Sequence, residues 1–146
     1  MNDQQIITKL RSAGCKVTPQ RLAICKLVLS SKDHPSAEQL YQEVQKVHPT
    51  ISLATVYITL DILKKIGIVQ ELGFSDRSSR YDPNTSPHIN IICLECGRIS
   101  DYDAKSAKKF LDEIIAETGL KPLQQRFDLY VNCEKCSNKN KEKHAK

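Results

Sequence analysis

A chain of 146 residues, 40% of them hydrophobic, can bury one modest core or two small ones, but not a large α/β enzyme scaffold. The net charge of +5, from 22 Lys and Arg against 17 Asp and Glu, is too mild by itself to argue for nucleic acid. No run approaches the roughly 18 consecutive apolar residues of a membrane span, and Met1-Asn2-Asp3-Gln4-Gln5 lacks the basic and apolar regions of a signal peptide, so a cytoplasmic protein with no membrane partner is expected.

In chain order, Ile6, Ile7 and Leu10 form a short apolar stripe that Gly14 ends. Thr18-Pro19 reads as an N-cap followed by proline at the first helical position, opening a segment with Leu22, Ile24, Leu27 and Val28. Ser36-Ala37-Glu38-Gln39 has the form of a capping box, and Leu40, Tyr41, Val44 and Val47 continue at helical spacing until Pro49. Ser52 caps a fourth helix in which Leu53, Val56, Leu60, Leu63 and Ile66 recur at three- and four-residue intervals, with Gly67 as its stop. Strands are expected at 68–72 and 80–82 around a turn at 73–79. Helices followed by such a hairpin are the order of a winged helix-turn-helix.

Pro83 to Pro87 then interrupts every periodic pattern. Beyond it lie strand-like runs at 89–93 and 98–102, a helical segment with Phe110, Leu111, Ile114 and Ile115 ending at Gly119, and a strand over about 124–132. In that last strand Phe127, Leu129 and Val131 alternate with Arg126, Asp128 and Tyr130. The expected class is α+β: a winged-helix domain over 1–83, a hinge at 84–87, a small α/β domain over 88–136 and a basic disordered tail over 137–146. Charge follows this division. Residues 1–85 carry 11 basic and 8 acidic side chains, 86–136 carry 7 and 8, and 137–146 carry 4 and 1.

The second region is small enough to need a metal, a partner subunit, or both. Cys93-Leu94-Glu95-Cys96 and Cys133-Glu134-Lys135-Cys136 supply a metal site. In a cytosolic chain thiols stay reduced, and two C-x-x-C knuckles complete the tetrahedral sulfur shell of a structural Zn2+, leaving no open position for catalysis. Cys25, among Ile24, Leu27 and Val28, reads as a small core hydrophobe, and Cys15 as structural.

The fourth helix is the candidate reader of DNA. Beside its core positions it offers Ser52, Ala54, Thr55, Tyr57, Ile58 and Thr59 near its N-terminal end, hydroxyls and methyls that suit thymine methyls and phosphates, hence an A·T-rich operator. A plain amphipathic core helix has the same pattern. A second, dispersed set of metal donors comprises His34, Asp82, His88 and Asp101, with Asn90 on the same strand face as His88. Taken singly, each of these is more often a satisfied surface polar group, since nothing local makes them converge. A zinc-dependent enzyme would need an open metal position beside a general base, and none is visible. A zinc-ribbon interaction module would explain the cysteines but not the winged helix.

Taken together, Lys16-Val17-Thr18-Pro19-Gln20-Arg21, His34-Pro35-Ser36-Ala37, Ile51-Ser52-Leu53-Ala54-Thr55-Val56-Tyr57, Gly67-Ile68-Val69, Arg80-Tyr81-Asp82 and residues 91–99 resemble the ferric uptake regulator superfamily over about residues 5–136. The resemblance implies a homodimeric, metal-dependent repressor, not an enzyme, binding a double-stranded palindromic operator, with the second domain for dimerisation. It implies a regulatory Fe2+ or Mn2+ on His34, Asp82, His88, Asn90 and Asp101, beside the Zn2+ on Cys93, Cys96, Cys133 and Cys136. Aspartate at 101 before an aromatic is similar to the peroxide-sensing branch, in which bound Fe2+ reacts with hydrogen peroxide and a ligand histidine is oxidised; His34 and His88 match the oxidised positions. The alternative is an iron-, manganese- or other metal-responsive repressor without peroxide sensing.

Two departures stand out. Asn90 replaces the usual third histidine, which moves the site toward oxygen donors and favours Mn2+ or Fe2+ over Zn2+. Ile58 replaces a commonly polar base-contacting residue. Pro87, Ile89, Lys108 and Gln125 stand where relatives with an additional metal site place ligands, so no third site is expected. Lys16, Arg21 and the tail would add phosphate affinity.

Overall fold

The structure, a computed structural model, describes residues 1–75, 77–103 and 105–137. Lys139, Lys141, Lys143 and Lys146 of the expected basic tail lie outside the described residues. The chain divides into two compact units, Met1–Thr85 and the residues from Ser86 onward.

The first unit contains α1 (Asp3–Ser12), α2 (Pro19–Ser30), α3 (Ala37–Gln45), α4 (Leu53–Lys65) and a hairpin of β1 (Gln70–Leu72) and β2 (Arg80–Asp82). Its helix starts follow from side-chain oxygens that satisfy otherwise orphaned backbone N–H groups. Thr18 accepts from the Arg21 N–H ahead of Pro19, Ser36 and Gln39 form a reciprocal capping box, and Ser52 accepts from the Thr55 N–H. Helix α4 ends in a Schellman turn: the N–H of Ile68 bonds the Leu63 carbonyl and that of Gly67 the Lys64 carbonyl. Gly67 has φ +69°, the left-handed conformation this stop requires.

The turn also explains a difference from the sequence expectation. Ile68 and Val69 are buried in the core as the chain leaves α4, and strand pairing begins only at Gln70. Helices α2, α3 and α4 pack on one another, and Ile6, Leu10, Ile24, Val28, Leu40, Val44, Val56, Leu60 and Leu63 form one contiguous cluster. Each such side chain contributes roughly 1.5–3 kcal/mol through burial, so this unit has a core of its own. Lys64 on α4 pairs with Glu71 on β1, tying the hairpin to the end of the helix.

The second unit contains β3 (Ile89–Cys93), β4 (Ile99–Tyr102), α5 (Lys105–Thr118) and β5 (Phe127–Val131), with strand order β4-β3-β5. β3 pairs antiparallel with β4 and parallel with β5. The last strand is shorter than expected, and its alternation does not separate an apolar inside from a polar outside: Leu129 is 52% exposed while the Asp128 side chain is only 14% exposed. The parallel pairing with β3 sets which face each residue takes. Among its described residues, this unit buries only Ile92, Cys93, Ile99 and Ala107 as hydrophobics, which is very little apolar core. No helix among the described residues is long and apolar enough to cross a membrane.

Candidate metal centres and nucleic-acid interface

The two cysteine knuckles converge. Cys93 ends β3, and the chain turns back through Gly97, at φ +68°, so that the Cys93 N–H bonds the Arg98 carbonyl and the Gly97 N–H the Cys93 carbonyl. The Cys133 N–H donates to Cys93 Sγ at 3.4 Å, and this contact above all lowers the Cys93 thiol to about 6. All four sulfurs of Cys93, Cys96, Cys133 and Cys136 lie within 4.8 Å of one another, with Cys96 and Cys133 3.9 Å apart. A tetrahedral Zn2+ with Zn–S bonds of about 2.3 Å requires sulfurs about 3.8 Å apart, so the donor set fits zinc. Cys25 is fully buried in the first unit, its thiol raised to about 11 by desolvation, and Cys15 packs at the edge of the same core.

The dispersed donors are best taken unit by unit. In the first, His34 follows α2 with φ +47°, and its Nε2 is 3.7 Å from Asp82 Oδ1 at the end of β2. Both side chains are almost fully buried. Gln70 Nε2 donates to Asp82 Oδ2 at 2.8 Å and the Asn84 N–H to Oδ1 at 2.7 Å, which fixes the carboxylate. The guanidinium of Arg80 donates to the His34 carbonyl and, at 3.0 Å, to that of Asp33.

In the second unit, His88 Nδ1 lies 2.8 Å from the Ser86 carbonyl, an acceptor, so the proton belongs on Nδ1. In the neutral ring Nε2 then turns a lone pair toward Asn90 Oδ1 at 3.2 Å and Asp101 Oδ1 at 3.6 Å. A nitrogen lone pair facing two oxygen acceptors is the arrangement that a cation satisfies. Imidazole, amide and carboxylate together suit Fe2+ or Mn2+. The structure thus brings together His34 with Asp82, and His88 with Asn90 and Asp101.

On α4, Ala54, Tyr57 and Ile58 are exposed, Thr55 is half-buried, and Ser52 is exposed while its hydroxyl caps the helix. Thr59 departs from expectation: it is fully buried and its hydroxyl donates to the Thr55 carbonyl at 2.7 Å, so it has no part in an exposed face. Lys16 is exposed, whereas Arg21 is half-buried and donates to the Lys16 carbonyl, holding the turn between α1 and α2. Sequence reasoning missed Glu38, which accepts from the Tyr57 hydroxyl, Gln70 behind Asp82, and Asp128, which holds the Asn90 amide at 3.1 Å. Glu38 and Arg80 each lay within a motif already singled out, but for a different reason.

The ferric uptake regulator family model matches residues 12–130. The peroxide-responsive repressor PerR of Staphylococcus aureus is 40% identical over 138 residues, covering 93% of this chain and 92% of the relative. Among solved structures, the Campylobacter jejuni peroxide stress regulator is 34% identical with a TM-score of 0.71, covering 93% of this chain and all of that one. The Pseudomonas aeruginosa ferric uptake regulator, solved with manganese, is 27% identical with a TM-score of 0.75, covering 92% and 99%.

Proposed function

Because this chain belongs to the ferric uptake regulator family, we propose that it is a metal-dependent, homodimeric transcriptional repressor that responds to peroxide. The observation that carries the metal dependence is the convergence of His88 Nε2, Asn90 Oδ1 and Asp101 Oδ1. His34 and Asp82 from the first unit and His88, Asn90 and Asp101 from the second would ligate one regulatory ion. Bound iron would supply reduction of hydrogen peroxide next to the imidazoles of His34 and His88. The chain's own residues do the rest: Gln70 holds Asp82 and Ser86 orients His88, and Asp82 and Asp101 would balance the ion's charge. A shared ion would fix one domain on the other, and in a dimer would set the separation of the two α4 helices to match two half-sites of a palindrome.

Several features support the partners. Ala54, Thr55, Tyr57 and Ile58 offer methyls and an aromatic edge without a guanine-reading arginine, which favours an A·T-rich operator. Ser52 and Lys16 would contact phosphates, with Arg21 holding Lys16 in place. For dimerisation, an open apolar groove in the second unit, lined by Ile89, Phe110, Phe127 and Leu129, suits a second copy. Zn2+ on the four cysteines would staple this unit, which buries little apolar surface among its described residues, rather than regulate it. A cytoplasmic location accords with such a role.

The test is DNA binding to a palindromic A·T-rich duplex across a series of Mn2+, Fe2+ and Zn2+, with and without peroxide. Affinity should depend on the regulatory metal and fall on chelation, and His34→Ala or His88→Ala should abolish that dependence. Peroxide given to the Fe2+-loaded protein should add oxygen mass to a peptide containing His34 or His88. Binding indifferent to metal and to both substitutions refutes the switch. Metal dependence with no oxygen gain selects the alternative of a metal-responsive repressor that does not sense peroxide, which the replacement of the third histidine by Asn90 favours.

A further inference from the structure

Asn90 occupies the central strand of the second unit, with an aspartate opposite it in register on each side: Asp101 on β4 and Asp128 on β5. It is 1% exposed, so its amide cannot turn to water. One end of that amide is an acceptor and the other carries two hydrogens, and the neighbouring groups decide which end points where. Nδ2 lies 3.1 Å from Asp128 Oδ1 and 3.4 Å from the Phe127 carbonyl oxygen. Both neighbours are acceptors without a hydrogen to give, so only the NH2 end can face them. Oδ1 is thereby turned toward His88 Nε2.

Asp128 is itself immobilised. Arg126 grips it with both arms of the guanidinium fork, Nε to Oδ1 at 2.9 Å and Nη2 to Oδ2 at 2.7 Å, and the Tyr130 hydroxyl donates to Oδ2 at 3.1 Å. The fork offsets the carboxylate's charge and fixes its plane. Asp128 is thus a fixed acceptor, with both oxygens engaged, and not a competing ligand.

Resting on the metal reading above, we infer that Asp128 is a positioning residue for the regulatory ion: it holds the Asn90 amide so that Oδ1 is presented beside His88 and Asp101. With the amide reversed, two N–H groups would point at the ion, removing a donor and adding a repelling dipole. The Asn90–Asp128 pair is how this chain presents a neutral oxygen donor from the central strand. The oxygen donor in turn shifts preference toward Mn2+ and Fe2+ and away from Zn2+.

A double-mutant cycle read by Mn2+ affinity tests this, from the electron paramagnetic resonance signal of free Mn2+ in full-length protein. Asp128→Ala should weaken Mn2+ about 10–100-fold in the parent chain, the usual effect of removing a group that orients a ligand. In the Asn90→Asp background both terminal atoms are oxygens, so no orientation remains to be set. There Asp128→Ala should leave affinity unchanged or tighten it by removing a like charge. The isosteric Asp128→Asn should show the same pattern with a smaller loss. Retention of zinc by the four cysteines reports that the second unit remains folded in each variant. In metal-free protein the Asn90 side-chain NH2 should exchange slowly, and quickly after Asp128→Ala. Equal losses in both backgrounds, no loss in the parent chain, or unaltered NH2 exchange would overturn the positioning role alone. A zinc-retaining parent chain that binds no Mn2+ would overturn the metal reading itself, and this inference with it.

Discussion

Tyr57 on the face of α4 donates its hydroxyl to the carboxylate of Glu38 on α3, at 2.7 Å. That contact raises the phenol and holds the Glu38 carboxyl below its ordinary range, the Tyr57 hydroxyl being the largest cause. The aromatic ring is thereby oriented, and on the proposed DNA-reading face the carboxylate would place a negative charge near the phosphates. Glu38→Ala is expected to weaken binding to the specific operator several-fold, consistent with roughly 1 kcal/mol for a lost hydrogen bond, while strengthening binding to unrelated duplex. Fluorescence anisotropy on both duplexes, at two salt concentrations, measures the ratio. If both affinities rise together, Glu38 acts only as a charge and does not position Tyr57.

Arg80 is expected to matter to metal binding without touching metal. It bridges the backbone carbonyls of Asp33 and His34, and the neighbouring Tyr81 N–H bonds the Pro35 carbonyl at 2.9 Å. These bonds hold His34 at φ +47°, a conformation that costs a non-glycine residue roughly 1–2 kcal/mol. Arg80→Ala should destabilise the first unit by about 1–3 kcal/mol through its unsatisfied carbonyls and weaken Mn2+ binding. Arg80→Lys, which cannot span two carbonyls with a planar fork, should recover only part of each. Urea unfolding and Mn2+ titration on the same variants check both effects. Undiminished Mn2+ affinity in Arg80→Ala would show that the loop does not need the clamp.

What was legible in the sequence was local. Thr18-Pro19, the Ser36 to Gln39 box and Ser52 announce helix starts because capping acts over three residues, and C-x-x-C spacing announces a knuckle because one turn brings both sulfurs to one ion. The grip of Asp128 on Asn90 spans 38 positions and depends on a parallel register, which no local pattern encodes. Alternation along 124–132 placed Asp128 on one face without saying which strand would lie beside it. Thr59 misled for the opposite reason: a hydroxyl reads as exposed, yet a helical threonine can bond the carbonyl four residues back and so enter the core.

The buried thiol of Cys25 gives the first unit an alkaline weakness. Its folded value is raised from 9.0 to about 11 by desolvation. Above pH 9 the unfolded thiol ionises while the folded one keeps its proton, so the unfolded state binds fewer protons and stability falls as pH rises. The contribution is fully present below pH 9 and is lost progressively as pH rises through 11, the loss being on the order of 1 kcal/mol by pH 10. Urea midpoints of the parent chain and Cys25→Ala at pH 7 and pH 10 test this: the parent should lose more of its stability between the two. Parallel losses would assign the alkaline weakness elsewhere.

Removing zinc should act on the second unit first. That unit buries four hydrophobics among its described residues, so beyond the β3–β5 ladder the four sulfurs are the main tie between the knuckle after β3 and the segment after β5. Cys96→Ser should abolish zinc retention and melt the sheet cooperatively, since closing a structural site contributes folding free energy directly. Cys15→Ser and Cys25→Ala, both in the first unit, should keep full zinc content. The helices of the first unit have a core independent of the metal and should remain protected after chelation. Hydrogen exchange resolved by peptide, before and after chelation, distinguishes the two units. Loss of protection in α2 to α4 together with β3 to β5 would mean that the first unit depends on the staple as well.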